Sequence, residues 1–401
     1  MIRSNVLKNK KIKVAIVGVG NCANSLYQGL TYYAGYTAGQ ERDGVMKSRI
    51  GGYAVADIEV VAAFDIDKRK VGKCFRDAMW AKPNCTPEYE PNVPDGPVVQ
   101  MGHILDGIPS LMKDYPDDEA FRASSAKGVD VASILTERKV DILINYLPVG
   151  SQKATEYYVN ECLKAGVSLL NCIPVFIASN PEWEQKFIDA GIPLVGDDMK
   201  SQFGASILSQ MLQELAFARG LNVGCHIQRN VGGNTDFLNM VDQSRLKYKK
   251  VSKENVIRSQ HIIRGVDPEE SFLHAGPSEY IRYYGDNKVA NFHVEMEGFL
   301  GAPVVLDARL SVIDSPNSGG VVIDAVRYLK VAREMGIVGA LRGPSASTQK
   351  TPPQQLMFSE TLYECDALSE RRLTRFTKRQ TKKYSAKELY LACPSHNKEI
   401  D

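Results

Sequence analysis

The sequence predicts an α/β protein with a doubly wound, mainly parallel sheet and a second domain built on a sheet of different texture. Three observations lead there. Residues 13–17 form an apolar strand pattern that runs through Gly18-Val19-Gly20-Asn21-Cys22-Ala23 into a helix. Between residues 58 and 195, short apolar runs alternate with helical stretches, as right-handed parallel crossovers require. Beyond residue 222 longer alternating runs take over, including 289–297 and 303–313 around Gly298-Phe299-Leu300-Gly301, which predict an antiparallel sheet. At 401 residues the chain is long enough for both parts.

The first turn carries a recognisable chemistry. Gly18 permits the tight bend, Gly20 lets backbone approach a pyrophosphate, and Ala23 lets the helix close onto the sheet. The helix start at Asn21 and Cys22 offers unpaired N–H groups and the positive end of the helix dipole to phosphates. This is a Rossmann-type turn, so a dinucleotide is the expected cofactor and Gly18, Gly20, Asn21, Cys22 and Ala23 are candidate cofactor residues. Cys22 reads as a small residue tolerated beside that cofactor rather than a redox group.

A polar, glycine-rich segment, residues 33–53, delays the second strand at 58–67. Asp65, at its end, is the candidate for the ribose hydroxyls, and the inserted segment explains a spacing beyond the usual ~20 residues. Asp67 reads as a solvated turn or cap residue. Residues 81–125, rich in proline, glycine and acid, read as an excursion from the sheet. There follow a helix at 129–138, a strand at 140–146, a helix capped by Ser151 and running to about 165, and a strand at 167–171. Asn180-Pro181-Glu182 starts another helix with Asn180 as cap, and residues 192–195 lead into Gly196-Asp197-Asp198-Met199-Lys200. Ligands of such sheets bind beyond the carboxyl ends of the strands, where Asp65, Asn145, Asn171, Asp197 and Asp198 fall. A long helix at 203–219 opens the second part, and Asp314-Ser315-Pro316-Asn317-Ser318 caps a helix from about 319 to 335.

Bulk properties narrow the class. A hydrophobic content of 44% with 24% charged residues is that of an ordinary globular protein, and a formal charge of +2 makes no case for nucleic acid or an anionic membrane. The apolar runs fall short of membrane-spanning length and residues 1–8 lack a signal-peptide core, so a cytoplasmic location is expected. Eight cysteines, none in a C-x-x-C pair, are expected to be reduced. Residues 371–387 hold eight basic residues and no acidic one, which reads as a solvated tail or an oligomer contact.

Lysines are the remaining chemistry. Lys249 and Lys253 are four apart, on one face of any helical turn, Lys288 precedes a strand, and Lys350 precedes Pro352-Pro353. Together with Asp198, Lys200 and Asp314 they would form a cationic pocket for a phosphorylated substrate that develops oxyanions. Asn230-Val231-Gly232-Gly233-Asn234 packs side-chain amides around glycines, which suits close contact with a polar ligand. His226 lies in a strand pattern and reads as a satisfied sheet residue. H-E-x-x-H, G-x-S-x-G and Walker A patterns are missing, as is a cysteine–histidine zinc spacing.

These strings, with Tyr146-Leu147-Pro148-Val149-Gly150-Ser151, Pro174-Val175-Phe176-Ile177-Ala178-Ser179 and Val195 to Gln202, occur in order from residue 12 to about 355. So arranged, the chain resembles the inositol-1-phosphate synthase family, in its shorter prokaryotic form. The resemblance implies NAD-dependent cyclisation of glucose 6-phosphate by oxidation at C5, enolisation, aldol closure of C6 on C1, and reduction. It implies that Lys249 serves the C5 oxygen, Lys253 and Lys288 the aldehyde and aldol oxygen, and Lys350 the C5 proton transfer. Asp198 and Asp314 orient these lysines, while Asn230, Asn234 and Lys200 contact substrate. For the C6 proton, the substrate's own phosphate is a candidate base. Asn145, Asp197 and Asp198 are implied on the cofactor side. It further implies a nucleotide domain of residues 1–200 plus 314–401, an inserted α+β domain of residues 201–313, and a homotetramer. A monovalent or divalent cation is left open, and the stretch after about Met357 has no assigned counterpart. A net NAD(P)-dependent dehydrogenase and a silent NAD-binding paralogue are the alternatives.

Overall fold

The structure is a computed structural model that describes residues 11–35 and 43–379. The chain runs β1 (Ile12–Val17), α1 (Asn21–Ala34), β2 (Ile58–Asp65), α2 (Phe75–Ala78), β3 (Val99–Met101), α3 (Val131–Glu137), β4 (Ile142–Asn145), α4 (Gln152–Ala165), β5 (Ser168–Asn171), α5 (Pro181–Ala190) and β6 (Pro193–Val195). It continues through α6 (Ala205–Ala218), β7 (Asn222–Gly232), α7 (Thr235–Asn239), α8 (Gln243–Ile263), β8 (Phe272–Tyr280), β9 (Asn287–Glu297) and β10 (Pro303–Ile313). The last described part holds α9 (Pro316–Glu334), β11 (Gly339–Ala340), α10 (Arg342–Thr348), α11 (Phe358–Ser369) and α12 (Arg375–Arg379).

Among the described residues the strands make two sheets. The first has seven strands in the order β11-β6-β5-β4-β1-β2-β3, with parallel pairing throughout. Strand β1 shows why helices cover both faces. Its Val14 and Ile16 pack with Leu26 of α1 and Val322, Ile323 and Val326 of α9. Ala15 and Val17, pointing the other way, pack with Val131 and Leu135 of α3 and Tyr158 and Val159 of α4. The fold is therefore α/β and Rossmann-like, with β1 buried on both faces. Strand order reverses at β1, so the carboxyl ends of β1 and β4 flank a crevice.

Helix α9 returns the chain from the second sheet to the first. Buried aliphatics such as Val322, Ile323, Val326 and Leu329 hold it there, each worth about 1.5–3 kcal/mol on transfer from water.

Four expectations change. The excursion at 81–125 contains β3, an edge strand paired with β2 and too short for its pattern to show. The second sheet, β10-β9-β7-β8, is mixed: β7–β9 and β9–β10 are antiparallel, but β7–β8 is parallel because α8 forms the crossover between them. Asp67 is fully buried, not solvated, because the excursion packs over it and Arg122 N and the Arg69 side chain and N–H donate to its carboxylate. Ser151 stands at the α4 N-cap without a capping bond from its side chain; the Asp106 carboxylate accepts from Lys153 N and Ala154 N instead, at 2.8 and 2.9 Å.

The expectations for Asn180 and His226 hold. Asn180 caps α5 through Glu182 N, and His226 is buried against Ser209 and Gln213. The described cysteines are free. Of the basic stretch, Arg371 is bound to Gly51 O and Glu334 rather than solvated, and residues 380–387 lie outside the described residues, as do residues 1–8. Among the described residues, no helix is long and apolar enough to cross a membrane.

Candidate active site

A single cavity runs from the glycine turn of β1 to the lysines of α8. The end at the glycine turn is shaped by backbone. Gly18 has φ of 90°, and a Cβ there would lie 2.5 Å from Tyr146 O, so the turn after β1 and the loop after β4 close on each other only with glycine. At Gly20 an added Cβ would meet nothing within 4 Å, so the space above it is open. Helix α1 starts there without a side-chain cap, leaving first-turn N–H groups for an anion.

Asp65 sits at the end of β2, where its Oδ2 accepts from Val19 N at 2.7 Å and lies 3.8 Å from Lys70 Nζ. Lys70, which the sequence reading missed, also donates to Val19 O and Asn84 Oδ1. Asn21 lines the wall and accepts from Cys85 N. Cys22 lines it too, and burial, helped by Asp314 and Asp286, pushes its thiol up to about 12, so it stays protonated and unreactive.

The lysine end is made of side chains from distant elements. Residues 197–200 pair with 348–351: Asp197 N donates to Thr351 O, Lys350 N to Asp198 O, and Lys200 N to Thr348 O. That pairing sets Lys350 beside Asp198. Asp198 takes a left-handed conformation, φ 62°, fixed by its N–H on Ile173 O, and its carboxylate faces α8. Lys249 and Lys350 both reach Asp198 Oδ1, at 3.0 and 2.9 Å, while Ser252 donates to Oδ2 at 2.7 Å. Helix α8 explains the grouping, since Lys249, Ser252 and Lys253 lie three and four apart on one face. Lys288 at the start of β9 pairs with Asp314 just past β10. Asn234 caps α7 and donates to Asp286 and Asp314.

The charges are strongly perturbed. Burial would raise the Asp198 carboxyl, but the Lys249 and Lys350 ammonium groups hold it well below the usual range. Burial works against charge on Lys249, yet Asp198 and Asp236 outweigh it and keep the ammonium above the usual lysine range. Lys350 is lowered to about 8 by burial and by Lys249 and Lys288, against the pull of Asp198. Lys253 has no hydrogen-bonding partner among the described residues, and burial followed by its three lysine neighbours pushes it far down. Asp286, missed in the sequence, is raised to about 6 by burial and then Asp314.

The cavity thus gathers Lys249, Lys253, Lys288, Lys350, Asp198, Asp314, Asn230 and Asn234 with Gly18, Gly20, Asn21, Cys22 and Asp65. It does not gather all candidates. Asn145 is fully buried and bonded to Asn171 and Thr155. Asp197 is buried beneath the 177–179 backbone, accepting from Ile177 N, Ala178 N and Ser179 N, and burial raises it to about 6. Both scaffold the site from below. Lys200 points away, into Gln210 Oε1 and Ala346 O, and burial lowers it to about 8. Ala23 is core, packing α1 on the sheet. Among the described residues no cluster of three metal-ligating side chains is present.

Residues 204–315 match the family model of myo-inositol-1-phosphate synthase. The chain is 44% identical over 349 residues to the inositol-3-phosphate synthase of Mycolicibacterium smegmatis, covering 86% of this chain and 94% of that one. It is 44% identical over 353 residues to the protein of the same name from Corynebacterium glutamicum, covering 87% and 96%. Among solved structures, Ari2 is 32% identical with a TM-score of 0.71, covering 90% of this chain and 98% of its own. The chain belongs to the inositol-1-phosphate synthase family.

Proposed function

We propose that this cavity cyclises D-glucose 6-phosphate to 1L-myo-inositol 1-phosphate, identical to 1D-myo-inositol 3-phosphate, with NAD held over Gly18 and Gly20. The observation that carries the reading is the meeting of four lysines and two aspartates next to an uncapped helix start in one cavity. When bound, NAD would accept hydride from C5 and return it after ring closure.

The chain's own residues do the rest. Lys249, kept protonated by Asp198 and Asp236, is a fixed positive charge for the C5 oxygen. Lys350, lowered to about 8, exchanges the C5 hydroxyl proton near neutral pH. Lys253, pushed down by burial and its lysine neighbours against the pull of Asp198, gains a counter-charge when a phosphate or oxyanion arrives, which favours its ammonium form and binds it to the substrate. Lys288, oriented by Asp314, serves the aldehyde and the aldol oxygen with Lys253. Asn230 and Asn234 hold sugar hydroxyls, with the Asn230 amide fixed by Gly276 O at 2.7 Å. Asp65 takes the adenosine ribose.

We assign a homotetramer assembled through the four-stranded sheet, whose outer strand β10 exposes Val304, Val305 and Ile313, and a cytoplasmic location.

Incubation with glucose 6-phosphate and catalytic NAD tests the reading. A cyclic phosphate forming without net NADH supports it. NADH accumulating in step with product marks a dehydrogenase, and NAD binding without turnover marks a silent paralogue.

A further inference from the structure

Arg245, one turn before Lys249 on α8, bridges the two ends of the cavity. Its Nε donates to Val149 O at 2.8 Å, Nη1 to Asp106 O at 2.9 Å, and Nη2 to Ser151 Oγ at 3.2 Å. Gly150 makes the trough it lies in: φ is 86°, and a Cβ there would sit 2.8 Å from Arg245 Cβ and Nε. The loop it grips belongs to the nucleotide end. Leu147, Pro148 and Val149 line the cavity, Tyr146 N donates to Val17 O, and Tyr146 O abuts Gly18. The helix it starts belongs to the lysine end, where Lys249 and Ser252 hold Asp198.

We propose that Arg245 is a positioning residue that couples the two ends, so that a nucleotide resting against residues 147–149 fixes α8 and tightens binding of the sugar phosphate. The inference rests on the cofactor reading above. A guanidinium suits the task because its planar fork can grip two loops at once, which a lysine cannot. Coupling of this kind is reciprocal, so the sugar phosphate tightens the nucleotide equally. Asn239 Nδ2 also donates to Val149 O at 2.8 Å, so removing Arg245 leaves that carbonyl bonded and the loop in place.

The test uses NADH with glucose 6-phosphate, a pair that cannot react because the cofactor is already reduced. Sugar-phosphate affinity is measured by calorimetry on the full chain with and without saturating NADH. In the wild type NADH is expected to tighten it about tenfold, within the range usual for coupled sites. In Arg245→Ala the enhancement should fall below about twofold while NADH affinity alone changes by less than about threefold, and Ser151→Ala, which removes one bond of three, should fall between. Full enhancement in Arg245→Ala, none in the wild type, or loss of both affinities together overturns the coupling. Failure of NADH to bind the wild type overturns the cofactor reading, and the coupling with it.

Discussion

The two ends of the cavity are built in opposite ways. The nucleotide end is backbone: a glycine at positive φ, an open glycine, and an uncapped helix start, contributed within a few residues of one another. The lysine end is side chains from α8, β9, the segment after β6 and the segment after α10, held by ion pairs removed from water. The first offers fixed backbone dipoles, with the Asp65–Lys70 pair beside them as its charged part. The second stores charge, and a buried pair that loses one partner is expensive, typically 3–5 kcal/mol. Measured with one ligand at a time, each end should therefore tolerate changes at the other; the coupling through Arg245 shows only when both ligands are bound.

Variants at each end sharpen that division. Lys249→Ala removes the fixed cation of the lysine end and should lower turnover about 10²- to 10³-fold, as loss of one oxyanion donor does, with NAD affinity nearly unchanged by calorimetry. Wild-type-like turnover would remove Lys249 from the chemistry. Gly20→Val fills the open space of the nucleotide end and should weaken NAD by about 10- to 100-fold, the weight of 1–3 kcal/mol of overpacking. Sugar-phosphate affinity measured without cofactor should stay put, and a parallel drop would blur the two ends into one.

A smaller effect is carried by pH. Lys350 must be neutral to take the C5 hydroxyl proton, and its value of about 8 means the neutral fraction falls below that pH. The kcat/KM value should thus fall about tenfold per unit below pH 8 and level off above it. A flat profile between pH 6 and 8 would assign the proton transfer elsewhere.

The smallest effect lies behind the lysine end, where His226 bonds Ser209, Ser209 bonds Gln228, and Gln228 bonds Asn230. Burial lowers His226 to about 4, so the folded chain holds it neutral while the unfolded chain protonates near the ordinary value of 6.5. Its contribution to stability is present above 6.5 and lost as pH falls toward 4. His226→Gln should show a shallower loss of Tm over that window, by thermal unfolding at stepped pH.

Sequence legibility follows the same division. The glycine turn and the alternating strands of the first sheet are readable because each depends on neighbours in the chain. Lys249 and Lys253 are readable as one helix face for the same reason. Their meeting with Lys350 is not, because Asp198 and Lys350 are 152 positions apart and meet only through the 197–200 and 348–351 pairing. The family resemblance supplied that association where local pattern could not. Strand-end position also misleads about direction: Asn145 ends β4 and Asp197 lies two residues past β6, yet both are turned into the scaffold, and Lys200, two residues past Asp198, enters the space between α6 and α10. Strand β8 and the parallel β7–β8 pairing stay hidden because α8, rich in lysine and polar residues, does not announce a crossover.

If the hydride removed from C5 is returned there, the net reaction is an isomerisation. Glucose 6-phosphate carrying deuterium at C5, turned over many times per unlabelled NAD, tests this directly by mass spectrometry of the product. The expected product is a cyclic phosphate that retains the deuterium, with no NADH accumulating; product without the label, or NADH formed in step with it, would mean that the hydride is not returned.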